Sequence, residues 1–231
     1  MEVVCYPPAM APRKTVAFVT IGQSPRDDML PEMLERIGSG IEPIEIGALD
    51  DLDDDAIARL APKAGDHTLV SRLRDGREVT IGKVWTRQRL VEIMDGLDRR
   101  GLDLIVLLCT GYFEGVRSRT LMVEAQRIVD HTVEAVSEDG RAVGVMVPLA
   151  GQMDEFHGRE RGGASVVMAH ASPYSDGRFE DAARELAKTD LIVMHCMGYT
   201  EAMRRRVAAV SGKPVLLARR LVANAVAELT A

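Results

Sequence analysis

Asp103-Leu-Ile-Val-Leu-Leu-Cys-Thr-Gly-Tyr-Phe-Glu-Gly-Val-Arg-Ser-Arg119 decides the fold, because the chain contains it twice. Asp190-Leu-Ile-Val-Met-His-Cys-Met-Gly-Tyr-Thr-Glu-Ala-Met-Arg-Arg-Arg206 aligns on it without gaps, and roughly ten of the seventeen positions agree. Self-similarity of this kind is a primary sign of a duplicated architecture. Each copy opens with a short apolar run and no polar alternation, the pattern of a strand covered on both faces of a parallel sheet. Each then reaches a cysteine, Cys109 or Cys196, followed by Gly-Tyr-x-Glu. A weaker echo joins Val16–Ile21 to Val143–Pro148, each followed by a Gly-Gln pair, Gly22-Gln23 and Gly151-Gln152.

Strand-like runs alternate with helical stretches outward from the repeat. Expected strands are Val16–Ile21, Ile41–Ile46, Leu104–Cys109, Val143–Val147, Ser165–Ala169, Leu191–Cys196 and Pro214–Ala218. Expected helices lie near Asp27–Ile37, Asp53–Leu60, Thr86–Arg99, Gly115–Ser137, Gly151–Arg159, Asp176–Lys188, Glu201–Val210 and Arg219–Leu229. This rhythm predicts an α/β fold with right-handed crossovers. It predicts two pseudo-symmetric halves with parallel sheets. The first half is expected over 14–120 plus 208–231 and the second over 121–207, with an extended tail at 1–13. The first half carries about 40 extra residues, and Thr68–Leu73 and Glu78–Lys83 flank Asp75-Gly76 there. Asp-Gly between alternating runs is a hairpin signal, since Gly accepts positive φ. The hairpin insertion at about 66–84 is a dimer arm or a cleft lid, and a homodimer is one expectation.

Composition excludes several classes. The chain has 231 residues, 46% hydrophobic and 28% charged, which is long enough for a substantial core. A net charge of −6 lacks the basic footprint of a nucleic-acid binder, so no nucleic acid is expected. No apolar run is long enough for a membrane span. The start, with Pro7, Pro8 and Pro12, lacks the pattern of a signal peptide, and three cysteines fit thiols in a cytoplasmic setting. Cys5 lies in the tail and receives no role.

A single strand-end cysteine is ordinarily a core residue. Two in matched contexts carry more weight. Ligands of open parallel sheets bind beyond the carboxyl ends of strands, where helix N-termini favour anions. Two facing thiols can then move a proton on a carbon alpha to a carboxylate, one removing it and the other delivering one to the opposite face, without a cofactor. The enediolate intermediate needs fixed donors. Candidates are the backbone amides of Thr110, Gly111, Met197 and Gly198, the hydroxyls of Ser24, Thr110 and Thr200, and the Arg26 guanidinium. Tyr112 and Tyr199 either pack at the seam between the halves or touch ligand. Two further readings remain open: a single-thiol lyase or cis–trans isomerase acting on a dicarboxylate, and a small-molecule-binding regulatory protein without turnover. No metal is expected: His195 beside Cys196 points to the other face of its strand. Isolated His67, His131, His157 and His170, Gly162-Gly163 and the acidic run 50–55 are read as solvated or structural.

Five motifs in order resemble the AroM family: Thr20-Ile21-Gly22-Gln23-Ser24-Pro25-Arg26-Asp27, Leu107–Gly111, Ala171-Ser172-Pro173-Tyr174, Cys196-Met197-Gly198-Tyr199-Thr200 and Gly212–Arg219. The similarity runs from about residue 14 to the end. That family is similar to the aspartate/glutamate/hydantoin racemase superfamily, which includes maleate isomerases and arylmalonate decarboxylases. The resemblance implies two Rossmann-like halves around a cleft, catalytic cysteines at Cys109 and Cys196, and first-loop substrate contacts at Gln23 and Ser24. Where racemases of the superfamily often follow their cysteines with Asn-Thr and Thr-His, this chain has Thr-Gly and Met-Gly.

Overall fold

The computed structural model describes residues 13–137, 140–153, 165–175 and 177–231. The expected tail (save Arg13), most of the helix near 151–159, Cys5, His157 and Gly162-Gly163 lie outside the described residues. The strands are β1 (Lys14–Thr20), β2 (Ile41–Gly47), β3 (Thr68–Arg72), β4 (Glu78–Gly82), β5 (Leu104–Leu107), β6 (Met122–Glu124), β7 (Ala142–Val147), β8 (Ser165–His170), β9 (Leu191–Met194) and β10 (Val215–Leu217). The helices are α1 (Leu30–Ile37), α2 (Asp54–Ala58), α3 (Lys83–Leu97), α4 (Ala125–Val136), α5 (Phe179–Leu186), α6 (Glu201–Ser211) and α7 (Ala218–Thr230).

Two four-stranded parallel sheets carry the duplication. The first has the order β2-β1-β5-β6 and the second β10-β9-β7-β8. Under the repeat, β1 matches β7, β2 matches β8, β5 matches β9 and β6 matches β10, so the two orders are the same. Side-chain alternation sorts each strand between two cores. Val16, Phe18, Leu104, Val106, Val143, Val145, Leu191 and Val193 face a shared central core with α1, α4 and α7. Ala17, Val19, Ile105 and Leu107 face an outer core with α3. Met146, Ile192 and Met194 face another with α5 and α6. All four residues of β5 and of β9 are buried, the pattern expected of strands covered on both faces.

Two expectations change. The strand β6 hydrogen-bonds beside β5, with Ile105 opposite Met122, and β10 lies beside β9, with Ile192 opposite Val215. By strand pairing the halves therefore divide after β6, not at 120, and β10 belongs to the second sheet, not with a first half of 208–231. Only α7 returns, packing on α1 and α4.

The long helix expected from Gly115 is instead a loop, the strand β6 and then α4. The second copy of the repeat does form its helix, α6, with Thr200 as N-cap accepting from the Met203 amide at 3.2 Å. The copies differ at Gly115 against Ala202. Gly115 adopts φ 77°, which a helix does not allow. Asp98 then holds the loop through the amides of Arg119 and Thr120.

The expected hairpin is present as β3–β4 around Asp75-Gly76, with Arg72 opposite Glu78 and Thr68 opposite Gly82. It bridges both halves. Gln23 accepts from the Arg74 amide at 3.0 Å, and the Gln23 amide donates to the Arg72 carbonyl at 3.2 Å. From the second half, Gln152 Nε2 donates to the Thr68 carbonyl at 3.1 Å, and Ser172 bonds Glu78. The glutamines of the two Gly-Gln pairs thus grip the hairpin from both sides. No helix among the described residues is long and apolar enough to cross a membrane.

Candidate active site

Each repeat strand ends two residues before its cysteine, β5 at Leu107 and β9 at Met194, so Cys109 and Cys196 lie beyond the carboxyl ends of the two strands. Parity sends both side chains toward the outer cores, and the two loops meet across the seam. Thr110 Oγ1 donates to the His195 carbonyl at 3.1 Å, tying one loop to the other. Both cysteines line a single cleft with Arg26, Ser71, Lys83, Thr110, Gly111, Gln126, Tyr174, Met197 and Gly198. Its volume is about 70 Å³. The hairpin supplies Leu69, Val70 and Ser71 to the wall.

The duplication extends to single atoms. The Gly111 amide points at the Cys109 sulfur at 3.3 Å, and the Gly198 amide at the Cys196 sulfur at 3.4 Å. Each is an N–H two residues on, placed to favour a thiolate. Burial opposes this. It pushes the Cys109 thiol up to about 12, against the smaller pull of the Gly111 amide, and the neighbouring Cys196 pushes the same way; Lys83 and Arg26 pull it down. Burial also raises Cys196, while the Gly198 amide, Arg26 and Arg219 pull it down. Both thiols are free and rest protonated at neutral pH. Alkylation of Cys109 by iodoacetamide should therefore quicken about tenfold per pH unit from about pH 7 to 10 with no plateau. Peptide mass spectrometry reads this directly, and a plateau near pH 8 would contradict the burial argument.

Arg26 lines the cleft but is not the open fork expected. It is 3% exposed, with Nε and Nη2 on the two Asp28 oxygens at 2.8 and 2.9 Å. Nη1 donates to Thr20 Oγ1 at 2.8 Å and Nη2 to the Tyr174 hydroxyl at 3.2 Å. Burial works against the Arg26 charge, and the Asp28 and Tyr174 contacts outweigh it, so the guanidinium stays protonated. Burial likewise opposes ionisation of Asp28, and its bonds and charge contact with Arg26 overcome that and hold the carboxyl below its usual range. Arg26 is a fixed cation beside both sulfurs, already paired.

Of the residues singled out in the sequence, Cys109, Cys196, Arg26, Thr110, Gly111, Met197 and Gly198 line this one cleft. Four candidates do not line the cleft. Gln23 holds the hairpin. Ser24 gives its amide and hydroxyl to Asp50 at 2.6 and 2.7 Å. Thr200 caps α6. Tyr199 is fully buried, edge-on to Phe179, and its hydroxyl donates to the Ala171 carbonyl at 2.7 Å. Its repeat partner Tyr112 is half exposed at the cleft, because the first copy has no helix to bury it.

Sequence reasoning missed Lys83, Ser71, Gln126, Tyr174 and Arg219. The last two stand in quoted motifs. Burial pushes the Tyr174 phenol up, with Cys196 adding to it, so it keeps a proton to donate. It sits so close over the Cys196 loop that a Cβ at residue 198 would lie 2.6 Å from its oxygen, which is why glycine stands there. Arg219, 1% exposed, donates to the carbonyls of Met197, Gly198 and Asp28 and pairs with Glu32 at 2.9 Å. It fixes the Cys196 loop against the Arg26 loop. Lys83 makes no ion pair among the described residues and carried no local signal.

The fold is shared with solved structures over nearly their whole length. Arylmalonate decarboxylase matches at 14% identity over 94% of this chain and 92% of that one, with a TM-score of 0.55. The aspartate racemase of Picrophilus torridus matches at 9% identity over 94% of each chain, with a TM-score of 0.57. Allantoin racemase from Klebsiella pneumoniae matches at 12% identity over 94% and 87%, with a TM-score of 0.57. Among curated proteins, none matches by sequence. The family model described as AroM protein matches residues 16–230, nearly the entire chain. The chain belongs to the AroM family.

Proposed function

We propose that this protein is a cofactor-independent isomerase of the racemase type, moving the proton on the carbon alpha to a small-molecule carboxylate between Cys109 and Cys196. The observation that carries the reading is one cleft holding both thiols, each with the amide two residues on aimed at its sulfur. One cysteine, having first given its thiol proton to solvent, takes the alpha proton as a thiolate, and the electron pair of the C–H bond passes into an enediolate. The other cysteine, as thiol, gives its proton to the opposite face of that carbon. The next turnover runs from the reversed protonation state. Lys83 and the Tyr174 phenol are the donors for the carboxylate, in place of Ser24, Arg26 and Thr200. Arg26 stabilises whichever thiolate is present.

Deuterium uptake at the alpha carbon in D₂O tests the proposal, and a protein that turns over a confirmed carboxylate with no such uptake rules it out. The two sulfurs are not in equal surroundings: Lys83 acts on Cys109, and Arg219 with Asp28 on Cys196. This asymmetry favours, as a second reading, a lyase that uses one thiol, for which one cysteine would be dispensable.

A further inference from the structure

We infer that Gln126 determines specificity in the cleft, its side-chain carbonyl accepting a hydrogen bond from an N–H of the ligand. The cleft then takes a small carboxylate bearing an amine or amide nitrogen, in preference to a plain or hydroxylated acid. This rests on the proposed function for the carboxylate and goes beyond it for the nitrogen.

Gln126 stands in the first turn of α4, is 3% exposed and lines the same cleft as the two cysteines. Its Oε1 has no hydrogen-bond partner, although it is fully buried. A buried amide oxygen left unpaired costs free energy unless something arrives to pair it. Flipping the amide is not a remedy. Nε2 donates to the Asp130 carboxylate one helical turn on, and a flip would set the carbonyl oxygen against that carboxylate. The other Asp130 oxygen lies 3.6 Å from His195 Nε2. By strand parity His195 faces the central core, where α4 lies, while its neighbour Cys196 faces the opposite way. The Asp130–Gln126 bond therefore fixes Gln126 as an acceptor toward the cleft ligand, and the Asp130 carboxylate behind it polarises the amide. An acceptor backed by a carboxylate suits an ammonium or amide N–H and repels a second carboxylate. Lys83 supplies the complementary cation. Asp130 is a positioning residue in this scheme.

The test is equilibrium binding, read by thermal shift and calorimetry on the whole chain, so it needs no turnover. The probes are matched sets: alanine, lactate and propionate; and aspartate, malate and succinate. At least one nitrogen-bearing probe is expected to bind about tenfold or more tightly than its matched acids. Gln126→Met should remove that preference, and Asp130→Asn, which frees the amide to turn, should shrink it. Equal binding of alanine, lactate and propionate together with equal binding of aspartate, malate and succinate would overturn the inference. So would binding of none of the nitrogen probes, or an unchanged preference in a folded Gln126→Met protein. Cysteine variants without effect on exchange would instead defeat the proposed chemistry and leave the binding result standing.

Discussion

Cys109→Ala and Cys196→Ala are each expected to lower the interconversion of enantiomers by about a hundred- to ten-thousand-fold, the usual contribution of one general acid or base. The two variants should not be identical. A thiol on one face of the substrate removes the alpha proton only from the enantiomer that presents it to that face. With the opposite thiol gone, the proton or deuteron returns from the side it left. Each variant should therefore still exchange deuterium into one enantiomer, without inverting it, and the two variants should choose opposite enantiomers. Proton NMR in D₂O with each pure enantiomer separates these outcomes. Loss of all exchange in one variant and full activity in the other would establish the single-thiol reading instead. The geometry behind the expectation is that both sulfurs line one cleft, in loops joined by Thr110 and the His195 carbonyl.

Asp28→Asn is expected to destabilise the fold by about 3–5 kcal/mol, the cost of leaving a buried charge without its partner. For a chain of this size that is a fall in melting temperature of about 10 °C. Arg26 is 3% exposed and Asp28 14%, so little water is at hand to replace the lost carboxylate. The double variant Arg26→Met with Asp28→Leu should be milder, because it removes both charges. Calorimetric melts of the three proteins check this, and an Asp28→Asn melt within 2 °C, or about 1 kcal/mol, of the parent would contradict it. Acid gives the same sign. The folded carboxyl titrates below its unfolded value, so the pair's stabilisation is complete above about pH 4 and fades as pH falls through the depressed folded value.

The repeat makes most of the architecture legible in the sequence. Period, strand hydrophobicity and the Asp-Gly turn are local properties, and local properties placed β5, β9, the hairpin and both cysteines. What the repeat could not convey is that equal sequences need not fold equally. Glu114–Arg119 and Glu201–Arg206 share their spacing, yet one is a loop and the other a helix, and the difference lies in Gly115 and in Asp98, a distant residue that grips the loop. Tyr112 and Tyr199 part company for the same reason, one at the cleft and the other in the core.

Sequence alone thus determined the fold class, the duplication and the two thiols at strand ends, because each follows from short-range periodicity and from the fixed polarity of parallel strands. Tertiary structure alone decided which polar groups meet those thiols. It set Arg26 on Asp28, gave Ser24 to Asp50 and Gln23 to the hairpin, and brought Lys83, Gln126 and Tyr174 from separate elements to one cleft. A side chain's partner depends on which loops the packing brings within about 3 Å, and nothing in the local pattern encodes that distance.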